Sequence, residues 1–328
     1  MCYSCIKSVL HERKEGKDGM KIISMLAETI RNIFISTGVE LSRLREIRMR
    51  TGRGLMVETK DGEGLLSEKG TFVRREQDAY LVTEEDVRVT LELLTGYSVY
   101  AYEDELRQGY FTVEGGHRVG VAGGTVTEGG SVLRLNYITF LNIRIAHECK
   151  GCSKELFSRL YGEGIYYHTL LFAPAGCGKT TYLRDLIRLI SEAGCRVGVA
   201  DERSELAACY RGIPQHDVGL RTDVMDGCCK AEAMRMLLRS MTPDVLAADE
   251  IGLPEDVTAI RTAAVSGCKV VASAHGGALE ELKRNPMLRL LFEERAFDRY
   301  VQLEKRVGRF GVKTIYDGEG RVLTEWNT

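Results

Sequence analysis

No apolar run in this chain approaches the roughly 20 residues that a membrane-spanning helix needs. The first 19 residues, MCYSCIKSVLHERKEGKDG, also lack the long apolar core of a secretory leader. A cytoplasmic protein is therefore expected. Proline is scarce, five in 328 residues, and nothing in the composition marks disorder or low complexity. An excess of one charge is missing too. Residues 1–150 carry 21 basic against 22 acidic side chains and the remainder 24 against 25, so no broad basic surface is indicated and nucleic acid is not an expected partner. Ten cysteines are scattered along the chain, several of them, such as Cys195 and Cys268, within apolar patterns. In a reducing compartment these read as small buried hydrophobes rather than a disulfide framework. The two CxxC pairs, Cys2/Cys5 and Cys149/Cys152, stand too far apart for a zinc ribbon and read as unconnected thiols.

What is present is enough material for two domains. Residues 1–19 are polar and rich in Lys, Glu and Gly, an extension expected to be unstructured. From Met20 to Thr37 the apolar positions Ile22, Ile23, Leu26, Ile30, Ile33 and Phe34 recur at helical spacing. The segment REIRMRTGRGLMVET then alternates, Ile47 and Met49 against Glu46, Arg48 and Arg50, as a strand does before a Thr-Gly turn. In TEEDVRVTLELLTG, Thr83 can cap a helix whose first turn is acidic and whose end is followed by Gly96. Gly-punctuated alternating runs follow, GYFTVEGGHRVGVAGGTV and LNYITFLNIRIAHE, which predict short antiparallel strands. Residues 20–150 thus predict a small α+β domain. From Gly151 to the end, helical patterns alternate with short, nearly continuous apolar strands, TLLFAP, RVGVAD, VLAADE and KVVASAH, which predict an α/β domain with a mainly parallel sheet covered on both faces.

The first of those strands runs into Ala173-Pro174-Ala175-Gly176-Cys177-Gly178-Lys179-Thr180-Thr181. This is the phosphate-loop pattern G-x-x-x-x-G-K-[ST] between a strand and a helix, with alanine at the first glycine position. Backbone N–H groups of such a loop cradle phosphates at a helix N-terminus, Lys179 supplies a point charge, and the Thr180 hydroxyl can ligate Mg²⁺. Ala173 is tolerable at the strand exit if its φ is negative, and the inner glycines are intact.

A Mg²⁺–nucleotide site also needs a carboxylate at the metal and a group that orients water. Two Asp-Glu pairs close strands here, Asp201-Glu202 and Asp249-Glu250, at the carboxyl edge where open α/β sheets bind ligands. Asp249 is assigned with Thr180 to the metal and Glu250 to polarising the attacking water. Glu202 is a further catalytic candidate. His275, ending KVVASAH, is a further catalytic candidate that could sense the γ-phosphate, with a satisfied loop histidine as the alternative reading. Arg203, Arg221, Arg239, Arg118 and Arg144 are candidate phosphate-compensating arginines, and the sequence does not choose among them.

The ordered set APAGCGKTT, ADERSEL, GLRTDVMDGCCKAEAMRMLLRSMTPDVLAADEIG and VVASAHGG resembles the sporulation stage III AA family, relatives of the hexameric type II/IV secretion ATPases. The likeness extends into the first domain through REIRMRTGRGLMV, GGHRVGVAGG and NIRIAHE. It implies a RecA-like P-loop ATPase core, ATP and Mg²⁺ as ligands, and a ring, hexameric by analogy, whose neighbours supply arginines. It further implies a place in the mother cell of a sporulating bacterium, with recruitment to membrane proteins of the channel to the forespore. Two other classes stay open: a nucleic-acid motor, supported by Arg43, Arg45, Arg48, Arg50 and Arg53, and a scaffold whose nucleotide orders an interface with little hydrolysis.

Overall fold

The computed structural model of the chain describes residues 21–162, 164–306 and 309–326. The chain divides into two units, one ending at His147 and the other starting at Glu148. The extension expected over residues 1–19, with Cys2 and Cys5, lies outside the described residues.

In the first unit the apolar stripe is buried as its spacing requires, with Ile22, Leu26, Ile30, Ile33 and Phe34 all at most 6% exposed. The stripe is not one helix, however. A helical turn at 21–24 breaks off, and α1 (Glu28–Thr37) begins after Ala27, whose extended backbone donates its N–H to the Thr90 hydroxyl at 2.9 Å. That side-chain acceptor takes a donor that a continuous helix would have satisfied internally. Thr90 lies in α2 (Glu84–Leu94), which Thr83 opens with a reciprocal box: Thr83 Oγ1 accepts from the Asp86 N–H at 3.0 Å and Asp86 Oδ2 accepts from the Thr83 N–H at 2.9 Å. A short helix, α3 (Glu103–Arg107), precedes the later strands.

Seven strands form one antiparallel sheet: β1 (Leu44–Arg50), β2 (Met56–Thr59), β3 (Gly62–Leu66), β4 (Phe72–Val73), β5 (Tyr110–Val113), β6 (His117–Glu128) and β7 (Ser131–Arg144), in the order β4-β3-β2-β1-β7-β6-β5. Ile47 and Met49 of β1 are fully buried, as the alternation predicts. The β6–β7 hairpin turns through Gly129 and Gly130, at φ of 58° and 85°. Two consecutive left-handed residues match the right-handed twist of the strands they join and would be costly for any residue with a Cβ.

The second unit is built on an eight-stranded mixed sheet. After α4 (Lys154–Leu160) and the small hairpin β8 (Tyr161–Gly162) and β9 (Ile165–Tyr166), the chain alternates β10 (Thr169–Ala173), α5 (Lys179–Glu192), β11 (Val197–Asp201), β12 (Thr222–Asp226), α6 (Lys230–Ser240), β13 (Val245–Ala248), α7 (Pro254–Val265) and β14 (Lys269–His275). The helices α8 (Leu279–Arg284) and α9 (Pro286–Glu293) then lead to β15 (Arg299–Arg306), β16 (Arg309–Asp317) and β17 (Val322–Glu325). Strand order is β12-β11-β13-β14-β10-β15-β16-β17, parallel from β12 to β15 and antiparallel across the last three.

All five residues of β10 are buried because the sheet has a hydrophobic layer on each side. Leu171 and Ala173 pack with Leu183, Leu186, Ile187 and Ile190 of α5. Leu170 and Phe172 pack with α6, α7 and the helices after β14. Fully burying one such side chain is worth about 1.5–3 kcal/mol, so a strand with two buried faces has no position that tolerates an unpaired polar group. The expected parallel strands are all present. β12 and the antiparallel β15–β17 extension add to them. TDVMD carries acids at two of the five β12 positions and is only half-buried at this sheet edge, so its apolar signal is weak.

Candidate nucleotide site

The phosphate loop joins the buried end of β10 to the first turn of α5. Ala173 ends the strand, wholly buried and without a positive φ, so this position does not need glycine. Gly176 and Gly178 do adopt the left-handed region, at φ of 71° and 79°, where a Cβ costs about 1–2 kcal/mol. Gly178 is also the residue that caps α5. Pro174, Ala175 and Gly176 are exposed, whereas Lys179 is 5% exposed and its ammonium donates to the carbonyls of Ala173 at 3.0 Å and Pro174 at 3.3 Å. These two carbonyls hold the charge of the buried lysine inside the loop. Cys177 and Thr181 are half-buried members of the same turn.

From Thr180 the site crosses the sheet. The Thr180 hydroxyl donates to Asp249 Oδ2 at 2.6 Å, although β14 lies between β10 and β13. The other carboxylate oxygen accepts from the Ser273 hydroxyl and from the Glu250 N–H, the latter at 3.1 Å. Ser273 Oγ in turn accepts from the Glu250 N–H at 3.0 Å. Glu250 stands at φ 51°, an unusual conformation for a residue with a side chain, and these bonds fix it there. Its carboxylate points outward to Arg203, with Nη1 and Oε2 3.1 Å apart. The pair is half-exposed, so its net contribution to stability is at most about 1 kcal/mol.

The two Asp-Glu pairs differ in role. Asp201 is 2% exposed, and its carboxylate accepts from the backbone N–H groups of Glu205, Leu206 and Ala207 at 2.8–3.2 Å. Burial pushes this carboxyl above its ordinary range despite those bonds. Asp201 therefore folds the loop that follows it, and Arg184 of α5 braces the same loop by donating to the carbonyls of Glu205 and Leu206, both at 2.6 Å. Glu202 binds the Lys230 ammonium at 3.0 Å. Burial would raise this carboxyl, and the hydrogen bond and charge of Lys230 outweigh it, leaving it below the ordinary range. Asp201, Glu202, Arg203, Lys230, Asp249 and Glu250 line one concavity.

His275 closes β14 with its side chain exposed, in register with Ala173, and the following Gly276 N–H donates to the Ala173 carbonyl at 3.2 Å. It shares the carboxyl edge with the phosphate loop. Arg221 does not: it precedes β12 and so lies at the opposite, amino edge of the parallel strands. Arg239 stands nine residues along α6 from Lys230, about 14 Å at 1.5 Å per residue. Arg118 and Arg144 are cross-strand neighbours on β6 and β7 of the first unit, and Arg118 also covers the Tyr110 ring at 3.6 Å.

Sequence reasoning missed Ser273 and Lys230. Both carried a signal: Ser273 is a hydroxyl within an apolar strand, and Lys230 is a cation in the first turn of a helix, where the dipole disfavours it.

The matching family, described as sporulation stage III, protein AA, covers residues 15–323. The chain belongs to this family. Stage III sporulation protein AA of Bacillus subtilis is 46% identical over 261 residues, which is 77% of this chain and 85% of that protein. Among solved structures, the Legionella pneumophila ATPase DotB superposes with a TM-score of 0.54 at 15% identity, covering 88% of this chain and 79% of its own. The pilus retraction motor PilT with bound ADP gives 0.52 at 16% identity, covering 90% and 81%. At such identities the likeness is one of fold alone. No helix among the described residues is long and apolar enough to cross a membrane.

Proposed function

We propose that this sporulation-family chain is a Mg²⁺-dependent ATP hydrolase with a RecA-like P-loop core. It would work as a hexameric ring in the mother cell, recruited peripherally to membrane proteins of the channel to the forespore. The observation that carries the reading is the Thr180–Asp249 hydrogen bond at 2.6 Å, which joins two motifs 69 residues apart at one sheet edge.

The donor set fits the expected ligands. The Thr180 hydroxyl and the Asp249 carboxylate are hard oxygen donors of the kind Mg²⁺ takes, and they face each other directly. Magnesium, when bound, would neutralise part of the charge on the transferred phosphoryl group. Lys179 would exchange its two loop carbonyls for phosphate oxygens, a stronger partner for an ammonium. Gly176 leaves the loop backbone bare for the phosphates. Glu250 would orient water once released from Arg203. Arg221 and Arg239, remote from this edge within their own chain, would serve a nucleotide only from a neighbouring subunit, and Arg118 and Arg144 are further candidates for that role. Among the arginines that favoured a nucleic-acid motor, Arg43, Arg48 and Arg53 pair with Asp61, Glu46 and Glu76 of the same unit, which supports a protein-facing machine over a phosphate-backbone reader.

The test is phosphate release and oligomer mass with Mg²⁺ and ATP. Lys179→Ala and Glu250→Gln should each lower single-turnover hydrolysis by about 10²–10⁴-fold, with Glu250→Gln retaining nucleotide. Wild-type rates in both variants would end the proposal.

A further inference from the structure

The antiparallel extension brings an aromatic ring to the phosphate loop. On β15 and β16 the pairs Val301↔Ile315 and Leu303↔Val312 belong to the layer packed against α5. The next same-face pair is Lys305↔Phe310. This alternation carries the face past the last core contact, toward the amino end of α5, where the phosphate loop lies. The ring arrives there: a Cβ built on Gly178 would stand 2.9 Å from Phe310 Cγ. One turn into α5, the Tyr182 hydroxyl donates to the Phe310 carbonyl at 3.4 Å, fixing the strand against the helix. Phe310 is nevertheless 43% exposed, while Leu303 and Ile315 behind it are at most 2% exposed. The Lys305 ammonium stands 5.8 Å from the ring centroid.

We infer that Phe310 is the base platform of the nucleotide site, stacking a purine whose phosphates are held by the loop beside it. The inference rests on the phosphate-loop reading and adds the half of the ligand that the loop does not recognise. The ring covers Gly178 on one side only. It keeps an open surface at the mouth of the loop, next to a cation that favours an anionic ligand. Stacking engages the π-face and leaves base edges unread, so this contact favours the larger purine ring only through stacking area and treats adenine and guanine alike.

The test compares Mg²⁺–ATP with Mg²⁺–tripolyphosphate, which has the phosphates and no base, by calorimetry on the full chain. Phe310→Ala should weaken ATP and GTP by about 5- to 150-fold, the range for removing one base-stacking aromatic, and leave tripolyphosphate within twofold. Phe310→Tyr should restore the purine nucleotides, and Lys179→Ala should weaken both probes in every background. Unchanged ATP affinity in Phe310→Ala overturns the inference, as does an equal loss for tripolyphosphate, which would make Phe310 a support for the loop. Failure of the wild type to bind either probe would instead bring down the phosphate-loop reading and this inference with it.

Discussion

Ser273→Ala is the most informative single perturbation of the site, because Ser273 touches no nucleotide in the proposed reaction yet holds both acidic residues proposed to act in it. Its hydroxyl donates to Asp249 Oδ1 and accepts from the Glu250 N–H at 3.0 Å. The side chain is wholly buried between apolar neighbours in KVVASAH, so alanine leaves almost no cavity and the backbone of β14 is undisturbed. The variant loses one hydrogen bond to a charged acceptor, about 1.5–3 kcal/mol. The Glu250 N–H keeps its 3.1 Å bond to Asp249, so no buried donor is orphaned, and the global loss should stay near the lower end of that range. Positioning should suffer more, since residues that orient a metal ligand typically change affinity by about 10–100-fold. Equilibrium binding of a fluorescent ATP analogue, with Mg²⁺ and with EDTA, separates the two effects. The expectation is a 10–100-fold weaker Mg²⁺-dependent complex and an unchanged metal-free one. An equal loss in EDTA, or a Mg²⁺ complex within twofold of wild type, would refute the claim that Ser273 acts through Asp249.

Two further outcomes follow from the same geometry. Glu148 is pressed upward by burial, but bonds from His216 and the Asp217 N–H and the charge of Lys150 hold its carboxyl down at about 2, against an ordinary 4.5. A depressed acid stabilises the fold above its unfolded value and loses that contribution as pH falls, here between about 4.5 and 2. At 1.36 kcal/mol per unit this is on the order of 3 kcal/mol. Glu148→Gln should therefore be less stable than wild type in urea at pH 7, with the difference closing below pH 4; a gap independent of pH would contradict it. Ala173→Gly should leave nucleotide affinity within about twofold, because Ala173 sits in a strand and needs no left-handed freedom; a large gain on titration with ATP would show the turn to be strained.

Much of this was legible in the sequence, and what was not has a common cause. The phosphate loop, the capped helix after Thr83 and the four parallel strands show through because local chemistry and tertiary position agree: glycines where φ is positive, a threonine where N–H groups are bare, apolar runs where two layers meet. The break at Ala27 was hidden, since its cause is a hydroxyl 63 residues away on another helix. The roles of Ser273 and Lys230 were hidden in the same way. Each is defined by a partner on another strand or loop, and spacing along one element carries no trace of it.

The two acid pairs show where the sequence stops and geometry decides. Asp201-Glu202 and Asp249-Glu250 are the same dipeptide at the same edge of adjacent parallel strands. Asp201 gives its lone pairs to the three N–H groups of the loop behind it, and Glu202 is neutralised by Lys230. The Asp201 carboxylate is thus committed to the fold, and that of Glu202 to an ion pair. Asp249 instead faces the Thr180 hydroxyl, and the Glu250 carboxylate is paired with a half-exposed arginine that salt and solvent screen. A reaction site needs groups that are positioned yet cheaply released. By that criterion Asp249 and Glu250 are the pair we propose to act, while Asp201 folds the loop beside them.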